Sequence, residues 1–310
     1  MTANTTSPLD VELHIPAHLE SVISEVSDLY DSEVAPREQA LHHLLSDQSK
    51  FLDNTGRLHQ DIIAARREIM AAAGAKNIYS AHLPESLGGR GLGREDMIYV
   101  EEKVYGYGVG LNPALLSWSE GATPRLLHAH AHQKEQFTDP LVKGLKTSLH
   151  GVTETGAGSN LYDMKTNAVR KGSDWVLNGT KAYITNYFDA DVAQVLAITN
   201  PGGGRQSFTY FMFDTKEYAN KGYKIGKLYQ TMFGDGYTGE IHFENMVLPE
   251  SAVLGEVNGG FDIAVMSFNY TRMRRAGMCS GWNKYLIEKT LERVKTRIVG
   301  GEPLGAKQGI

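Results

Sequence analysis

The stretch that decides the fold runs from His150 to Asn186 and reads HGVTETGAGSNLYDMKTNAVRKGSDWVLNGTKAYITN. A strand-like run from Thr147 to Thr153 leads into the Gly-rich turn Gly156-Ala157-Gly158-Ser159-Asn160. Two later runs, Trp175 to Leu177 and Ala182 to Thr185, have strand character, and we expect them to close a hairpin. Because glycines carry no Cβ atom, backbone N–H groups of the turn can approach a ligand such as a phosphate.

The residues after the turn argue against a Rossmann-type dinucleotide site. Such a site needs a third glycine where Leu161 stands, followed directly by a helix, whereas the next residues predict a strand. Gly-x-Gly turns alone usually only reverse the chain, so the order of the surrounding motifs carries more information. That order is Val152-Thr153-Glu154-x-Gly156-x-Gly158-Ser159, then Leu177-Asn178-Gly179-x-Lys181, then Tyr183-Ile184-Thr185-Asn186. It resembles the acyl-CoA dehydrogenase family.

Further segments extend the resemblance over nearly all of the chain after about Glu33. They are Leu83-Pro84-Glu85-x-x-Gly88-Gly89-x-Gly91-Leu92, Phe243-Glu244-Asn245-Met246-Val247-Leu248-Pro249, and the stretch from Arg297 to Gln308. The resemblance implies an α+β fold in three parts: an N-terminal helical domain with a flexible start (1–146), a middle β-barrel-like domain (147–256) and the start of a C-terminal helical bundle (257–310). Family members continue further, so the chain resembles a protein that lacks most of its last domain.

Composition argues against several function classes. With 310 residues, 41% of them hydrophobic, the chain is long enough for two or more domains. Its formal net charge of −5 gives no basic surface for nucleic acid or an anionic membrane. The single cysteine, Cys279, excludes an internal disulfide, and its helix-like setting predicts packing. No apolar run has the length of a membrane span, and Met1 to Pro16 lacks a signal or transit pattern, which predicts a cytoplasmic protein.

Apolar residues spaced three and four apart predict helices on both sides of the central β segment. One begins near Leu19, a second covers Ile62 to Met70, a third starts near Arg94, and a long one runs from Phe261 to about Thr296. The segment from Leu41 to Leu58 predicts a partly helical excursion, and its sequence indicates no role.

Several residues in the predicted helices have ordinary structural interpretations. Glu101 to Lys103 are expected to form a solvated face. The alternate histidines from His128 to His132 would be spread around a helix, so they do not predict a metal site. Glycine is unfavourable inside a helix. The presence of Gly277 and Gly281 in the long helix therefore predicts close packing there against another helix or a ligand.

The resemblance implies FAD as the cofactor, held against the middle domain. Thr153 matches the family residue at the pyrimidine edge of the flavin, and Thr185 matches the one whose hydroxyl faces N5. Both places gain negative charge when a hydride arrives, so each needs a hydrogen-bond donor. Tyr183 stands where the family usually has Trp and keeps a flat face beside the ring. The implied cofactor contacts are Val152, Thr153, Gly158, Ser159, Tyr183, Ile184, Thr185, Arg297 and Gln308, the last two reaching the FAD of a neighbouring subunit.

The implied substrate is an acyl-CoA or acyl-carrier thioester. Arg272 is retained for an anionic group, whereas Asn269 replaces the usual acid, so the identity of the thioester stays open. Arg274 and Arg275 are equally well explained by a solvated helix face. The implied substrate contacts are Ser159, Asn269, Tyr270, Thr271 and Arg272.

Dehydrogenation needs a carboxylate that takes the α proton while the β hydrogen leaves as hydride. Most family members carry this Glu beyond the position of residue 310, and a minority carry it where Thr271 stands, so no catalytic residue is identified in this chain. Glu154, the one acid of the central motif, is expected to belong to the framework around the flavin.

The resemblance therefore predicts oxidation of an acyl thioester to the trans-2-enoyl thioester, with an electron-transfer flavoprotein as the acceptor. It also implies a homo-oligomer, with a hetero-oligomer possible. Two alternatives stay open: a related flavin oxidase, and a flavin- or thioester-binding subunit that needs a partner or a further segment for activity.

Overall fold

The computed structural model of the protein describes residues 15–232 and 235–309. Its α-helices are α1 Glu20–Leu29, α2 Ala35–Ala40, α3 His42–Leu45, α4 Gln48–Phe51, α5 Gln60–Ala75, α6 Arg94–Gly106, α7 Ala131–Gln133, α8 Asp139–Val142, α9 Thr215–Tyr218 and α10 Gly260–Thr296. Its strands are β1 Ser148–Gly151, β2 Asn167–Lys171, β3 Asp174–Thr185, β4 Val192–Ile198, β5 Phe208–Asp214, β6 Tyr223–Tyr229, β7 Thr238–Pro249, β8 Val253–Leu254, β9 Ile298–Val299 and β10 Glu302–Pro303. Within the described ranges, no helix is long and apolar enough to cross a membrane. The start predicted to be flexible, to about Pro16, lies outside them as far as residue 14.

The N-terminal helices bury the apolar stripes that predicted them. Val22, Val26 and Leu29 of α1 are buried, and so are Ile62 and Ile69 of α5. Each fully buried aliphatic side chain stabilises the fold by about 1.5–3 kcal/mol relative to an exposed one. The helices predicted near residues 19, 62–70 and 94 are therefore confirmed as α1, α5 and α6.

The excursion from Leu41 to Leu58 contains two short helices, as predicted, and then an antiparallel bridge between Leu52 and Leu58. Leu58 is buried, and its backbone N–H donates to the Gly236 carbonyl at 3.2 Å. The excursion therefore rests on the loop that leads into β7.

Strands β1 to β8 form one mixed sheet in the order β6-β7-β3-β2-β4-β5-β8, with β1 paired in parallel with β4, and β9 and β10 form a separate two-stranded sheet. Antiparallel pairing within β6-β7-β3-β2 and within β4-β5-β8 builds two halves. These halves meet at one parallel pair, Asn167 with Ile198. The sheet and the helices on both sides of it in sequence confirm the predicted α+β fold.

The hairpin predicted between Trp175 and Thr185 is wrong. Both runs belong to the single 12-residue strand β3, which pairs with β7. Gly179, at φ +142°, lies at a register shift in that pairing, so it introduces an irregularity into the strand and does not reverse it. The reversal comes earlier, where Gly172 at φ +62° joins β2 to β3.

The long helix α10 packs along α6 through Gly277 and Gly281. A Cβ on Gly277 would lie 2.4 Å from the Ile98 carbonyl oxygen, and one on Gly281 would lie 2.5 Å from the Glu102 carbonyl oxygen. Both distances are far below van der Waals contact, so only glycine allows the two backbones to approach this closely. The predicted close packing is confirmed.

The solvated face predicted at Glu101 and Glu102 is wrong, because α10 covers both residues and supplies their cations. Glu101 is fully buried and pairs with Arg274, and Glu102 is 8% exposed and pairs with Lys284. The interpretation of Arg274 as part of a solvated helix face is also wrong, because Arg274 is 1% exposed. Cys279, predicted to pack, is exposed instead, because it lies away from the buried Gly277 and Gly281 side of the helix.

Candidate functional site

A bulge in β3 sets the geometry of the candidate site. The pairing of β3 with β7 shifts register between Lys181 and Ile184, and the N–H of Ala182 donates to the Thr153 carbonyl at 3.0 Å. Tyr183 adopts φ +63°, which is rare for residues other than glycine, and it is 52% exposed. The bulge thus holds Thr153 beside β3 and leaves the Tyr183 ring half exposed, with the Tyr229 ring packed against it at a centroid distance of 4.8 Å.

Thr153 and Thr185 carry the hydroxyls on which the cofactor interpretation depends. Both residues are partly exposed, and neither hydroxyl has a hydrogen-bond partner among residues 15–232 and 235–309. Val152 and Ile184 are 3% and 2% exposed, so they offer a ligand mainly backbone groups. Two unpaired hydroxyls and a half-exposed aromatic ring fit a flat, polar-edged group such as a flavin.

The Gly-rich turn is open to solvent. Nothing lies within 4 Å of a Cβ placed on Gly156 or Gly158, and both Gly158 and Ser159 are exposed. A groove of about 600 Å³ extends from Gly156 to Gly179 and Thr180. The turn can therefore receive a phosphate-bearing ligand without rearranging other side chains. A short 3-10 turn and then β2 follow it, which agrees with the argument against a Rossmann site.

Glu154 is held in the framework beside this turn. Its carboxylate accepts hydrogen bonds from the N–H groups of Lys165 at 2.7 Å and Thr166 at 2.9 Å, and it pairs with the buried Lys181 ammonium at 2.9 Å. Burial acts to raise the pKa of Glu154, but the charge of Lys181 and these hydrogen bonds keep that pKa below its ordinary value. Burial lowers the pKa of Lys181 to about 8. The pair is therefore ionised at neutral pH, and its carboxylate is fully engaged.

The implied substrate residues divide between two sides of α10. Asn269 and Arg272 are exposed, and the Arg272 guanidinium donates to Asn269 Oδ1 at 3.0 Å. Tyr270 is 9% exposed and its hydroxyl donates to the His82 carbonyl at 3.4 Å. Thr271 donates to a carbonyl one turn back in the helix. The side open to a ligand thus carries Asn269 and Arg272, whereas Tyr270 belongs to the packed side.

Arg297 and Gln308 lie at the opposite end of α10 from the sheet. The helix starts against the sheet, where a Cβ on Gly260 would lie 2.9 Å from the Phe208 carbonyl oxygen. It has 37 residues and is therefore about 55 Å long. Arg297 follows its last turn, and Gln308 comes after the β9–β10 hairpin; both are exposed. The chain does not bring these two residues to its own Thr153 and Thr185.

The three histidines do not share a helix, so the expectation that a helix spreads them apart is wrong. His128 ends a 3-10 turn, and the backbone is extended at His130 before α7 begins. The rings of His130 and His132 stack with centroids 5.6 Å apart, and they hydrogen-bond to the carbonyls of Gly255 and Ser251, each at 2.9 Å. Among the described residues, no group of three or more His, Cys, Asp or Glu side chains could hold a metal ion.

The sequence did not predict two buried guanidinium groups. One belongs to Arg274 of α10 and contacts α6, and the other belongs to Arg125 and contacts the sheet and α10. Arg274 lies over the Trp118 ring at 4.4 Å and pairs with Glu101. Burial raises the pKa of Glu101 to about 7, although the charge of Arg274 acts to lower it. Arg125 is the second, at 1% exposure. Its place in the apolar run Pro124-Arg125-Leu126-Leu127 was the signal that could have indicated burial.

Comparison with known sequences identifies one family. The family described as acyl-CoA dehydrogenase, middle domain, matches residues 150–246. An acyl-CoA dehydrogenase of Bacillus subtilis is 27% identical over 246 residues, which are 78% of this chain and 64% of that protein. The long-chain specific acyl-CoA dehydrogenase of Rattus norvegicus mitochondria is 31% identical over 250 residues, or 79% of this chain and 57% of that protein. The chain thus spans less than two thirds of the length of either relative.

Comparison with solved structures supports the same fold. The glutaryl-CoA dehydrogenase of Mycobacterium smegmatis, solved in complex with FADH2, superposes with a TM-score of 0.75 at 22% identity. The similarity covers 96% of this chain and 71% of that one. At this identity the match concerns the arrangement of helices and strands.

Proposed function

Because the chain belongs to the acyl-CoA dehydrogenase family, we propose that it oxidises an acyl-CoA or acyl-carrier thioester to the trans-2-enoyl thioester with FAD. The observation that carries this proposal is the bulge in β3, which holds Thr153 beside a strand that presents the ring of Tyr183 and the hydroxyl of Thr185. Two hydroxyls without protein partners are available there to a ligand. The mitochondrial and bacterial relatives named above are acyl-CoA dehydrogenases, which supports the same reaction class.

FAD would be bound by groups that the chain leaves available. The hydroxyls of Thr153 and Thr185 would donate to the flavin ring, Tyr183 would cover one side of it, and the turn at Gly158 and Ser159 would lie along the pyrophosphate. Bound FAD supplies a hydride acceptor. The two threonine hydroxyls stabilise the negative charge that collects where hydride is received.

The thioester would bind on the open side of α10. The Arg272 guanidinium is exposed and is held by Asn269, so it can pair with an anionic part of a CoA or carrier arm. Arg297 and Gln308 would serve a second copy of the chain, since they lie remote from their own Thr153. The proposal also includes an electron-transfer flavoprotein as acceptor, a homo-oligomer, a cytoplasmic location, and the domain division at residues 146/147 and 256/257.

An anaerobic reduction experiment tests the proposal. The FAD-loaded protein is mixed with saturated acyl-CoAs of increasing length, and loss of the visible flavin absorbance is followed together with enoyl-CoA formation. We expect bleaching that persists until an electron-transfer flavoprotein is added. Arg272→Met should raise the acyl-CoA concentration needed for bleaching, whereas Arg205→Met, on an exposed loop ion pair, should not. Failure to bind FAD, or rapid reoxidation by air, would contradict the proposal.

A second candidate function is a flavin- or thioester-binding subunit without activity of its own. One observation favours it: the acids buried in the described part of the chain are all held in ion pairs, so none is available to remove an α proton; they are Glu101, Glu102, Glu154 and Asp191. This candidate predicts that the protein binds FAD and acyl-CoA and that the flavin stays oxidised. Bleaching by acyl-CoA alone would exclude it.

A further inference from the structure

The guanidinium of Arg125 joins three elements in the interior of the protein. Its Nε donates to Gln194 Oε1 on β4 at 2.7 Å. One terminal nitrogen donates to Ser267 Oγ on α10 at 2.8 Å and lies 3.3 Å from His150 Nδ1 on β1. Arg125 is 1% exposed, so these contacts replace water almost completely.

The positive charge of Arg125 has no negative partner within the described part of the chain. Its hydrogen-bond partners are an amide, a hydroxyl and an imidazole, and no carboxylate contacts it. Its second terminal nitrogen and Gln194 Nε2 are buried without partners. Burial lowers the pKa of Arg125 to about 10, which leaves the group charged at neutral pH. A buried charge without a partner is costly to the fold, so its presence needs an explanation.

The neighbouring titratable groups do not neutralise this charge. Burial, together with the charges of Arg125 and Lys181, holds the pKa of His150 well below its usual range. Burial raises the pKa of Tyr210, which hydrogen-bonds to His150 at 2.7 Å. Both are therefore neutral at pH 7. Lys181 is paired with Glu154, so Arg125 is the uncompensated charge of this region.

Arg125 lies close to both segments proposed to bind ligands. His150 is three residues before Thr153, which is about 10 Å along an extended chain. Ser267 is two residues before Asn269 on α10. The Arg125 guanidinium thus contacts β1, the strand that precedes the proposed flavin contact, and Arg125 itself is almost fully shielded from water.

We propose that Arg125 acts through space on FAD bound beside Thr153 and raises its reduction potential. The inference rests on the proposed function. When the β carbon of the thioester delivers a hydride, the flavin gains negative charge, and a fixed positive charge in a poorly screened interior stabilises that charge. Arg125 contacts none of the proposed flavin-binding residues, so it acts by its field and not by binding.

The test is the flavin reduction potential of the FAD-loaded full chain, measured by equilibration with a redox dye of known potential during anaerobic chemical reduction. Arg125→Gln removes the charge and retains a hydrogen-bonding group. If the roughly 10 Å from His150 to Thr153 is taken as the length scale, with an effective dielectric constant of about 20, the change should shift the flavin–dye equilibrium about tenfold toward oxidised flavin. Arg125→Lys keeps the charge and should stay within about twofold of the wild type.

Gln194→Glu provides an independent variant in case Arg125→Gln does not fold. It places a carboxylate where Oε1 already accepts from Arg125 at 2.7 Å, so it neutralises the charge with almost no change in shape. It should lower the potential in the same direction as Arg125→Gln. Arg170→Gln, at a surface ion pair with Glu250, is the matched control and should change nothing.

The outcomes separate this inference from the function on which it rests. A wild-type protein that binds no FAD would overturn both. Bound FAD whose potential is the same in the wild type, Arg125→Gln and Gln194→Glu would overturn the inference and leave the proposed function standing. A lowered potential in Arg125→Lys equal to that in Arg125→Gln would also overturn it, because a change of packing would then explain the effect.

Discussion

Replacing Gly277 by alanine tests the contact that positions α10. The new Cβ would lie 2.4 Å from the Ile98 carbonyl oxygen and 2.9 Å from the Ile98 Cα. Both are backbone atoms of α6, so they cannot move aside as a side chain would. To reach ordinary contact, α10 must retreat by about 1 Å, and overpacking of this kind costs about 1–3 kcal/mol. Alanine recovers about 1 kcal/mol of helix propensity, so Gly277→Ala should lose up to about 2 kcal/mol of stability.

Gly106→Ala is the matched control, because Gly106 is also helical and nothing lies within 4 Å of its added Cβ. Equilibrium unfolding in urea should show a lower midpoint for Gly277→Ala and an unchanged or higher midpoint for Gly106→Ala. For a chain of 310 residues, each kcal/mol corresponds to about 1.5 °C in Tm. If Gly277→Ala were as stable as Gly106→Ala, the close contact of α6 with α10 would not be a rigid feature, and the reasoning would be refuted.

Three further predictions concern the site and its surroundings. Thr185→Val should slow flavin reduction by about 1–3 kcal/mol of activation energy in rapid mixing, with little change in FAD affinity; Thr185→Ser keeps the donor and should react normally, and equal rates for all three proteins would remove Thr185 from the site. Glu154→Gln strands the buried Lys181 ammonium and should cost about 3–5 kcal/mol at neutral pH. The pKa of Glu154 is lowered in the fold, so the stabilisation by its carboxylate is present above the ordinary value of 4.5 and is lost as pH falls through the folded pKa. The difference in free energy of unfolding between the wild type and Glu154→Gln, measured in urea, should therefore become smaller in acid. A difference that does not change with pH would contradict the assigned pairing. Leu286 and Ile287 are 57% and 43% exposed on α10, and replacing both by Glu should reduce self-association in sedimentation velocity; an unchanged mass would exclude this face from the assembly.

Local patterns predicted the elements that depend on neighbours in sequence. The apolar spacing of Val22, Val26 and Leu29 predicted α1 because the same residues that favour an amphipathic helix also form its buried side. The order of motifs likewise indicated strand at Thr185, which lies in β3, whereas β1 ends at Gly151 and Thr153 follows it, hydrogen-bonded through its carbonyl to Ala182 of β3. What a local pattern cannot supply is the partner of a polar side chain. Glu101 was predicted to be solvated because Arg274, the residue that covers it, lies 173 positions away in the chain.

The misread hairpin has a similar physical origin. Gly179 and Gly172 both have positive φ, and glycine permits either a turn or a strand irregularity. The choice depends on whether a partner strand continues past the glycine. β7 does continue past Gly179, and β7 begins more than fifty residues later in the chain. The bulge at Tyr183, on which the proposed cofactor site depends, was hidden for the same reason.

Arg125 and Arg274 show why burial alone does not explain a charged residue. Both are 1% exposed, and both donate hydrogen bonds to groups from distant parts of the chain. Arg274 has a carboxylate partner in Glu101, so its charge is accounted for by the contact between α6 and α10. Arg125 has neutral partners only, although Gln194 occupies a position where Glu would pair with it directly. A residue needed merely to connect β1, β4 and α10 would lose nothing by that pairing. Gln194, unlike Glu, leaves the positive charge of Arg125 without a negative partner. We therefore infer that the charge of Arg125, and not only its hydrogen bonds, has a role in this part of the protein.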